Sequence, residues 1–380
     1  MPKTKTRERF DYALTNAGWF PASVRFAEAL IPASNYAYAY IYATFLTLSG
    51  HLMGRNAYIG YATELYPNFY TCLVGGSAVS HKSTAMNHGL KSLGEAGEGL
   101  RRITSLTTTA GLYNSMKSGD GSCLVHLDEL ANLLDKANRA YSEDVIETVT
   151  ELYGCPKLAG NFTKVSPVEV HDTFLSILSG STVEWLQRSL DMSKLMGGFG
   201  NRMTFVLGDP RTPNDWPGMP EFEGLANWHN LFKFEGEVVL DQDARAFWSD
   251  FYADFTKRQN VSTPFFKTMA ERIPEKVLKT VLVEAAWEGI HVVDQEMLGH
   301  AINWGQYLYR CLEELGPSFE DAEKQVLQAI EKGYHTKPQL FGYLQHSLGV
   351  RRLRDAMSNL KWLGLVEEDE GRFSVLDKPT

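Results

Sequence analysis

The sequence predicts an α/β core, a parallel sheet with helical flanks, followed by a C-terminal unit of three helices and a hairpin. Three observations carry this reading. Short, nearly continuous apolar runs recur at 71–74, 123–127, 173–178 and 203–207, with helix-patterned stretches between them, as expected for strands buried on both faces. A Gly/Ser-rich loop, 75–81, joins the first run to a helix starting near Lys82. The final stretch, 318–380, shows amphipathic helix patterns and ends in two short strand-like runs.

The chain has 380 residues, which at roughly 150 per domain allows two or three domains. Its 44% hydrophobic and 22% charged residues exclude intrinsic disorder, collagen and a coiled-coil rod. The 37 Lys+Arg against 46 Asp+Glu leave a net charge of −9, which speaks against a generally basic nucleic-acid coat but not against a local basic patch. Cys72, Cys123, Cys155 and Cys311 form no CxxC pair and have no His-rich ligand spacing, so they read as core thiols of a reducing cytoplasm and not as a zinc site. Residues 1–10 are polar and basic, which predicts no signal peptide, and the apolar run 36–48 is too short to span a bilayer. A cytoplasmic protein with no membrane partner is expected.

In chain order, residues 1–60 read as helical. Val24, Ala27, Glu28 and Ile31 share one helical face, and 36–48 is a buried helix. Residues 61–70 turn into the first strand. A strand at 102–106, a helix at 109–117, a turn at 118–121 and helices over 130–153 follow. The segment DPRTPNDWPGMPEFEG, 209–224, marks a boundary. Residues 225–315 read as strongly helical, with Phe247, Trp248, Phe251, Tyr252 and Phe255 spaced as a core stripe and not as a base-stacking platform. Gly316-Pro317 breaks the chain again. The expected division is a helical region 1–60, a core 61–212, a helical subdomain 213–316 and a terminal unit 317–380.

The sharpest local pattern is GGSAVSHKST between a strand and a helix. Gly76, Lys82 and Ser83 fit the phosphate-loop pattern G-x-x-x-x-G-K-[ST], with His81 in place of the second Gly. Backbone N–H groups of Gly75, Gly76 and Ser77, with His81 and Thr84 beside them, would surround a β-phosphate at the helix N-terminus. Lys82 would neutralise the β/γ oxygens of ATP, and Ser83 would offer its hydroxyl to Mg²⁺. The position of His81 favours φ > 0, which His tolerates better than most side chains. A second apolar run, CLVHL, ends in Asp128-Glu129, 46 residues beyond Lys82. This is the form of a Walker B strand: Asp128 would hold Mg²⁺ and Glu129 would activate the attacking water. An acidic helix start is the plain alternative. Ser181 and Thr182, after a third run, suit either a γ-phosphate sensor or a helix N-cap. Arg202, on the Gly-rich loop GGFGNR, is a candidate arginine finger donated across a subunit interface. Arg272 is a weaker phosphate-sensor candidate and reads as a solvated helix-end charge; His126 and His171 read as structural.

The segments LYPNFYTCLVGGSAVSHKST, TTTAGLYNSMKSGDGSCLVHLDEL, FLSILSGSTVEWL and GGFGNRMTFVLGDPR together resemble the RecA/DnaB-like P-loop ATPases of prophages and mobile elements, often described as primase-helicases. The likeness covers about 20–310. It implies a RecA/AAA-like P-loop NTPase fold and an oligomeric, ring-like ATPase of DNA replication, hexamer favoured, using ATP and Mg²⁺. The family's lysine, acidic pair and loop arginine fall on Lys82, Asp128, Glu129 and Arg202. No primase motif or zinc ribbon is visible.

The terminal unit reads as a winged helix. Thr336 caps its second helix, with Pro338 in the first turn. A third helix, 351–363, carries Arg351, Arg352, Arg354 and Lys361 against Asp355, and would contact DNA with its N-terminal end. The acidic wing turn EEDEG opposes simple wing contact, and a protein-contact role is the alternative. Three functions follow in order: a helicase-like ATP-driven motor on DNA, a non-motor ATP-dependent initiator, loader or regulator, and a scaffold that binds no nucleotide.

Overall fold

The computed structural model describes residues 19–76, 80–137, 143–161, 167–183, 186, 198–208, 214–222, 227–260, 262–316 and 321–376. The chain divides into two compact units. One holds the described residues of Met1–Phe251 and Arg272–Cys311, the other those of Tyr252–Glu271 and Leu312–Thr380.

The first unit begins with helices α1 (Pro21–Leu30) and α2 (Tyr38–Met53). The buried side of α1 is Ala22, Ser23, Phe26, Ala27 and Leu30; Glu28 is exposed, so the expected face is rotated toward the phenylalanine. Every α2 residue after Tyr38 is buried, and the helix runs past Ser49-Gly50 to Met53. Two strands follow: β1 (Ala57–Tyr61), mostly within the stretch expected to be helical, and β2 (Thr63–Leu65), where a turn was expected.

The core is a parallel sheet of β3 (Tyr70–Val74), β4 (Arg102–Ile103), β5 (Ser122–Leu127), β8 (Phe174–Ser181) and β9 (Met203–Leu207). Its order is β4-β5-β8-β3-β9, and every neighbouring pair is parallel. The period of two along a strand sends alternate side chains to opposite faces. Thr71 Oγ1 meets Thr47 Oγ1 of α2 at 2.7 Å on one face, and Tyr70 donates to Val149 O at 2.8 Å on the other. All residues of β3 and β8 are buried, in keeping with their largely apolar character, and the buried hydroxyls of Thr71 and Ser179 are satisfied by Thr47 Oγ1 and Thr71 O. The edge strand β4 is two residues long, not five, because only Arg102 and Ile103 pair with β5. Helix α3 (Lys82–Ser92) follows β3, α4 (Thr109–Lys117) precedes β5, and α5 (Ala131–Ala137) and α6 (Glu143–Leu152) follow it. Between α6 and β8 lies an antiparallel hairpin of β6 (Leu158–Asn161) and β7 (Val168–His171).

The region 213–316 is not wholly helical. It contributes β10 (Gly236–Leu240) and β11 (Val292–Val293) to a second sheet of order β11-β10-β1-β2, in which β1 and β10 pair in parallel. The stripe expected as core on the helix Gln242–Asn260 is a correction as well. Phe247, Trp248, Phe251 and Phe255 are half-buried and Tyr252 is 44% exposed, so only Ala244 of that helix is fully buried. All four cysteines are free and buried. Among the described residues no helix is long and apolar enough to cross a membrane.

Helices Ile273–Glu288 and Gln295–Leu315 hold a buried ion pair, with His300 Nδ1 2.7 Å from Glu284 Oε1. Burial pushes Glu284 up to about 7 from 4.5, with Glu288 and Asp294 adding to the rise. The Glu284 carboxylate in turn raises His300. Both groups bind protons more tightly in the folded chain. Their contribution to stability is therefore full below about pH 4.5 and is lost as pH rises through about 7. Glu284→Gln keeps a group that accepts from His300 and removes the charge. The variant is expected to show a flatter fall in stability between pH 5 and 8 than the parent, by roughly 1 kcal/mol or more, measured by denaturant titration across that range.

The second unit packs helices Asp321–Glu331, Lys337–Leu344 and Val350–Trp362 against a hairpin of β12 (Val366–Asp369) and β13 (Arg372–Val375). Val326, Ile330, Leu340, Leu353, Leu360 and Phe373 form its core, each burial contributing about 1.5–3 kcal/mol. Gln339 Oε1 accepts from the Thr336 N–H at 3.0 Å, closing the expected cap, with Pro338 in the first turn. The hairpin reverses through Glu370 and Gly371, both at positive φ (46° and 79°), the requirement of a tight two-residue turn.

Candidate nucleotide-binding edge

Strand β3 brings the chain to Gly75 at the carboxyl edge of the parallel sheet. The Gly75 N–H donates to Ser181 O at 3.2 Å, and Tyr40 of α2 donates to Val74 O at 2.6 Å. A Cβ on Gly75 would lie 2.4 Å from Tyr40 Oη and 2.8 Å from Ser80 Cβ, so the loop closes only around a glycine. Ser80 Oγ donates to Gly76 O at 2.7 Å and ties the loop across itself. His81 then takes φ 50°, ψ 33°, the left-handed conformation, and Lys82 opens α3. This is the backbone state expected of a glycine at that position. His81→Gly is expected to leave thermal stability within about 0.5 kcal/mol of the parent, because relief of strain offsets the added chain entropy. His81→Val, with a branched Cβ at positive φ, is expected to cost about 1–3 kcal/mol in the same melt.

Lys82 folds back into the loop. Its ammonium donates to Gly75 O at 2.8 Å, Gly76 O at 3.2 Å and Ser80 Oγ at 3.0 Å. Ser83 is exposed and Thr84 half-buried in the first helical turn; Ser77 lies outside the described residues.

Strand β5 ends beside the same edge and delivers Asp128, exposed, and Glu129, half-buried. Between β5 and β3 lies β8, which continues three residues past the expected end and carries Ser181 as its buried last residue. Ser181 Oγ donates to Glu129 Oε1, and the Ala131 N–H donates to the same oxygen at 3.3 Å. Ser181 therefore holds the acid from a strand position. A Cβ on Gly180 would sit 3.0 Å from Asp128 O, 3.5 Å from Met86 Cε and 3.6 Å from Lys82 Cε, so the bare glycine lets the lysine and the acidic turn approach each other. Burial pushes the Cys72 thiol of β3 up to about 12, with Glu129 raising it and Lys82 lowering it, so both charges are felt beneath the loop.

The loop can thus take an anion against Lys82 and the start of α3. Ser83 and Asp128 supply two hard oxygens on its rim, a donor set that suits Mg²⁺ when phosphate and water complete the shell. Glu129 stands where it can accept a proton once it leaves Ser181. No family model matches the chain, and no curated protein matches it.

Arg202 is elsewhere. Met203, its neighbour, pairs with Tyr70 at the start of β3, whereas the loop follows the strand's end. Five residues at about 3.3 Å each put roughly 16 Å between the two edges. Arg202 Nη1 donates to Gly198 O at 2.7 Å, Nε is buried without a hydrogen-bond partner, and the guanidinium lies 5.9 Å from the Tyr153 ring centre. Burial and the nearby Arg272 lower its proton affinity.

Sequence reasoning missed the surroundings of this arginine. Arg272 is not a solvated helix-end charge: it is largely buried and paired with Glu275 at 2.6 Å. Lys276 donates to Met203 O at 2.6 Å, and Lys279 donates to Asn68 O and Oδ1 at 2.8 and 2.6 Å. Burial pushes these lysines down to about 7 and about 8. Arg272, Glu275, Lys279, Asn68, Tyr66 and Tyr153 line a pocket of about 100 Å³ at this amino edge. The spacing of Lys276 and Lys279 on the apolar helix PEKVLKTVL was the available signal. His126 is buried, and exposed His171 lies 3.8 Å from Glu169.

In the second unit Arg351, Arg352 and Arg354 are exposed at the start of the helix Val350–Trp362. Lys361 is engaged: it and Lys337 reach the Glu368 carboxylate at 2.7 and 2.8 Å and hold its pKa down.

Proposed function

We propose that this protein is an ATP-hydrolysing, DNA-associated motor, helicase-like, of a phage or mobile genetic element, acting as a ring oligomer with ATP at subunit interfaces. One observation carries the reading: the Gly75–Lys82 loop, with its left-handed residue before the lysine, shares one sheet edge with Asp128, Glu129 and Ser181. The chain leaves β3 toward one edge strand and leaves the adjacent β8 toward the other, and ligands of open α/β sheets bind at such a switch point. Lys82 neutralises the β/γ oxygens, Ser83 and Asp128 hold Mg²⁺, and Glu129 takes the proton of the attacking water. Arg202, on the far edge, is too distant from Lys82 to meet a phosphate held in the same chain, so the arginine-finger role is proposed only across a subunit interface.

The three helices and hairpin of the second unit support reading it as a winged helix, whose exposed arginines would then meet DNA. Lys361 and Lys337 neutralise part of the wing's acid. Replacing Arg351, Arg352 and Arg354 together by Ala is expected to weaken DNA binding and to reduce its salt slope by about one for each phosphate that the helix no longer neutralises. An unchanged slope in binding titrations from 50 to 200 mM salt assigns the helix to protein contact instead.

ATP turnover measured with no DNA, with single strands and with duplex tests the whole reading. DNA-stimulated turnover with strand displacement is the expected result; no turnover under any condition overturns it. The alternative reading is a non-motor ATP-dependent DNA-binding initiator, loader or regulator. ATP-dependent assembly on DNA without strand displacement identifies that alternative.

A further inference from the structure

The residues assigned above to phosphate and metal chemistry at the carboxyl edge offer no apolar face to a nucleobase. Lys82, Ser83, Asp128, Glu129 and Ser181 are all polar groups suited to phosphate, cation or water. A purine needs an apolar face. The largest apolar face exposed among the described residues is an indole. Trp216 is 86% exposed and Met219, three residues on, is 90% exposed.

These side chains stand on a fixed backbone. Asn35 and Asn214 clasp each other, the Asn214 N–H donating to Asn35 Oδ1 at 2.6 Å and Asn35 Nδ2 donating to Asn214 O at 3.1 Å. Asn214 Nδ2 and the Gly218 N–H both donate to Pro32 O, at 3.1 and 3.3 Å. The Trp216 N–H donates to Asn214 Oδ1 at 3.1 Å. The backbone is thus tied down on both sides of the indole while the ring is left in water, an arrangement that costs hydration free energy and gives no packing in return.

The anchor lies beside the candidate site. Tyr36 Oη is 3.2 Å from His88 Nδ1 on α3, the helix that follows the loop. Tyr40 donates to Val74 O, on the strand that precedes it. A Cβ on Gly208, the residue after β9, would lie 2.4 Å from Ala37 Cβ. The stretch 32–40 therefore touches the loop's strand, the loop's helix and the Trp216 segment.

We propose that Trp216, with Met219 three residues on, is the base platform of the nucleotide site: the purine of a nucleoside triphosphate stacks on the indole while Lys82 and the start of α3 hold its phosphates. The thioether of Met219 adds a polarizable contact to the ring edge. The proposal rests on the nucleotide-binding reading above and assigns the base to a residue outside the phosphate-loop motif.

The test compares two probes on the full chain, ATP and inorganic tripolyphosphate, both with Mg²⁺. Trp216→Ala is expected to weaken ATP binding by roughly tenfold, from the usual size of base–aromatic stacking. It leaves tripolyphosphate affinity and the thermal melt unchanged. Trp216→Phe recovers most of the ATP affinity. Trp216→Ala binding ATP as tightly as the parent overturns the proposal, and so does an equal loss for both probes. Unchanged ATP affinity with a smaller species in sedimentation assigns the indole to contact with another copy and also overturns it. A parent chain that binds neither probe defeats the nucleotide reading itself, an outcome distinct from a parent that binds both equally well, which defeats the base platform alone.

Discussion

Glu129→Gln is expected to leave ATP binding within about twofold of the parent and to slow hydrolysis by about 10²–10⁴-fold, the usual contribution of a positioned general base. The geometry argues for this split. The Glu129 Oε1 accepts from Ser181 Oγ and from the Ala131 N–H, neither of them in the loop that would hold the phosphates. The amide oxygen of Gln accepts the same two hydrogen bonds, so the turn after β5, the position of Asp128 and the loop itself are retained. What the amide cannot do is take a proton from water. Equilibrium ATP titration and a single-turnover assay on the same preparation separate the two quantities. Turnover that persists in the Gln variant removes Glu129 from the role of base and returns it to an acidic helix start. A loss of binding equal to the loss of turnover shows instead that the carboxylate supports the site's shape.

What the sequence displayed, and what it hid, divides along a physical line. Strands buried on both faces, β3, β5 and β9, favour apolar residues at most positions, so their runs stand out in one dimension. The loop after β3 was legible for a related reason: a glycine that must admit Tyr40 Oη, a left-handed residue and a lysine are fixed in spacing by local geometry. Elements whose character is set by distant partners were not legible. β1 and β10 are short, contain Gly or Glu, and exist because they pair with each other across more than 170 residues of chain. β8 ran on through Ser179-Gly180-Ser181, which reads locally as a turn, because β3 and β5 flank it in register as far as Val74 and Leu127. Lys276 and Lys279 look like surface charge in any window, yet each reaches a backbone carbonyl deep in the fold. The stripe from Phe247 to Phe255 erred the other way: helical periodicity reports that a face is apolar, not that anything covers it fully.

The same division bears on Arg202. Its residue type and its Gly-rich approach suggested phosphate chemistry, and nothing local could say which edge of the sheet it would occupy. Register decides that. Pairing of Met203 with Tyr70 puts it at the amino edge, among Tyr153, Arg272 and Glu275. Among the described residues, the carboxyl edge brings together Lys82, Asp128, Glu129 and Ser181, while Arg202 lies at the other edge, so an arginine role for Arg202 becomes a question about assembly.

Lys82→Ala has the largest expected effect on nucleotide affinity, a loss of roughly 10²-fold, the equivalent of about 3 kcal/mol for a charge-assisted contact to phosphate. The ligand-free geometry makes the outcome more specific than a charge deletion. The Lys82 ammonium donates to Gly75 O, Gly76 O and Ser80 Oγ, so in the absence of phosphate it occupies the loop's own carbonyls. Binding an anion must draw it away from them, and the affinity measured is the difference between two sets of hydrogen bonds. Alanine removes both sets. The phosphate loses its cation, and the Gly75 and Gly76 carbonyls turn to water, which they can reach because Gly76 is exposed. The cost to stability is accordingly small, about 0.5–1.5 kcal/mol, while the cost to affinity is large. Lys82→Arg distinguishes charge from shape. A planar guanidinium keeps the charge but cannot place a compact ammonium among three converging acceptors, so it is expected to recover little of the lost affinity. Titration of ATP into the parent and both variants, with a thermal melt of each, reads the result. Affinity unchanged in Lys82→Ala means that the loop holds no phosphate, and the ammonium is then only a strut across the turn between β3 and α3.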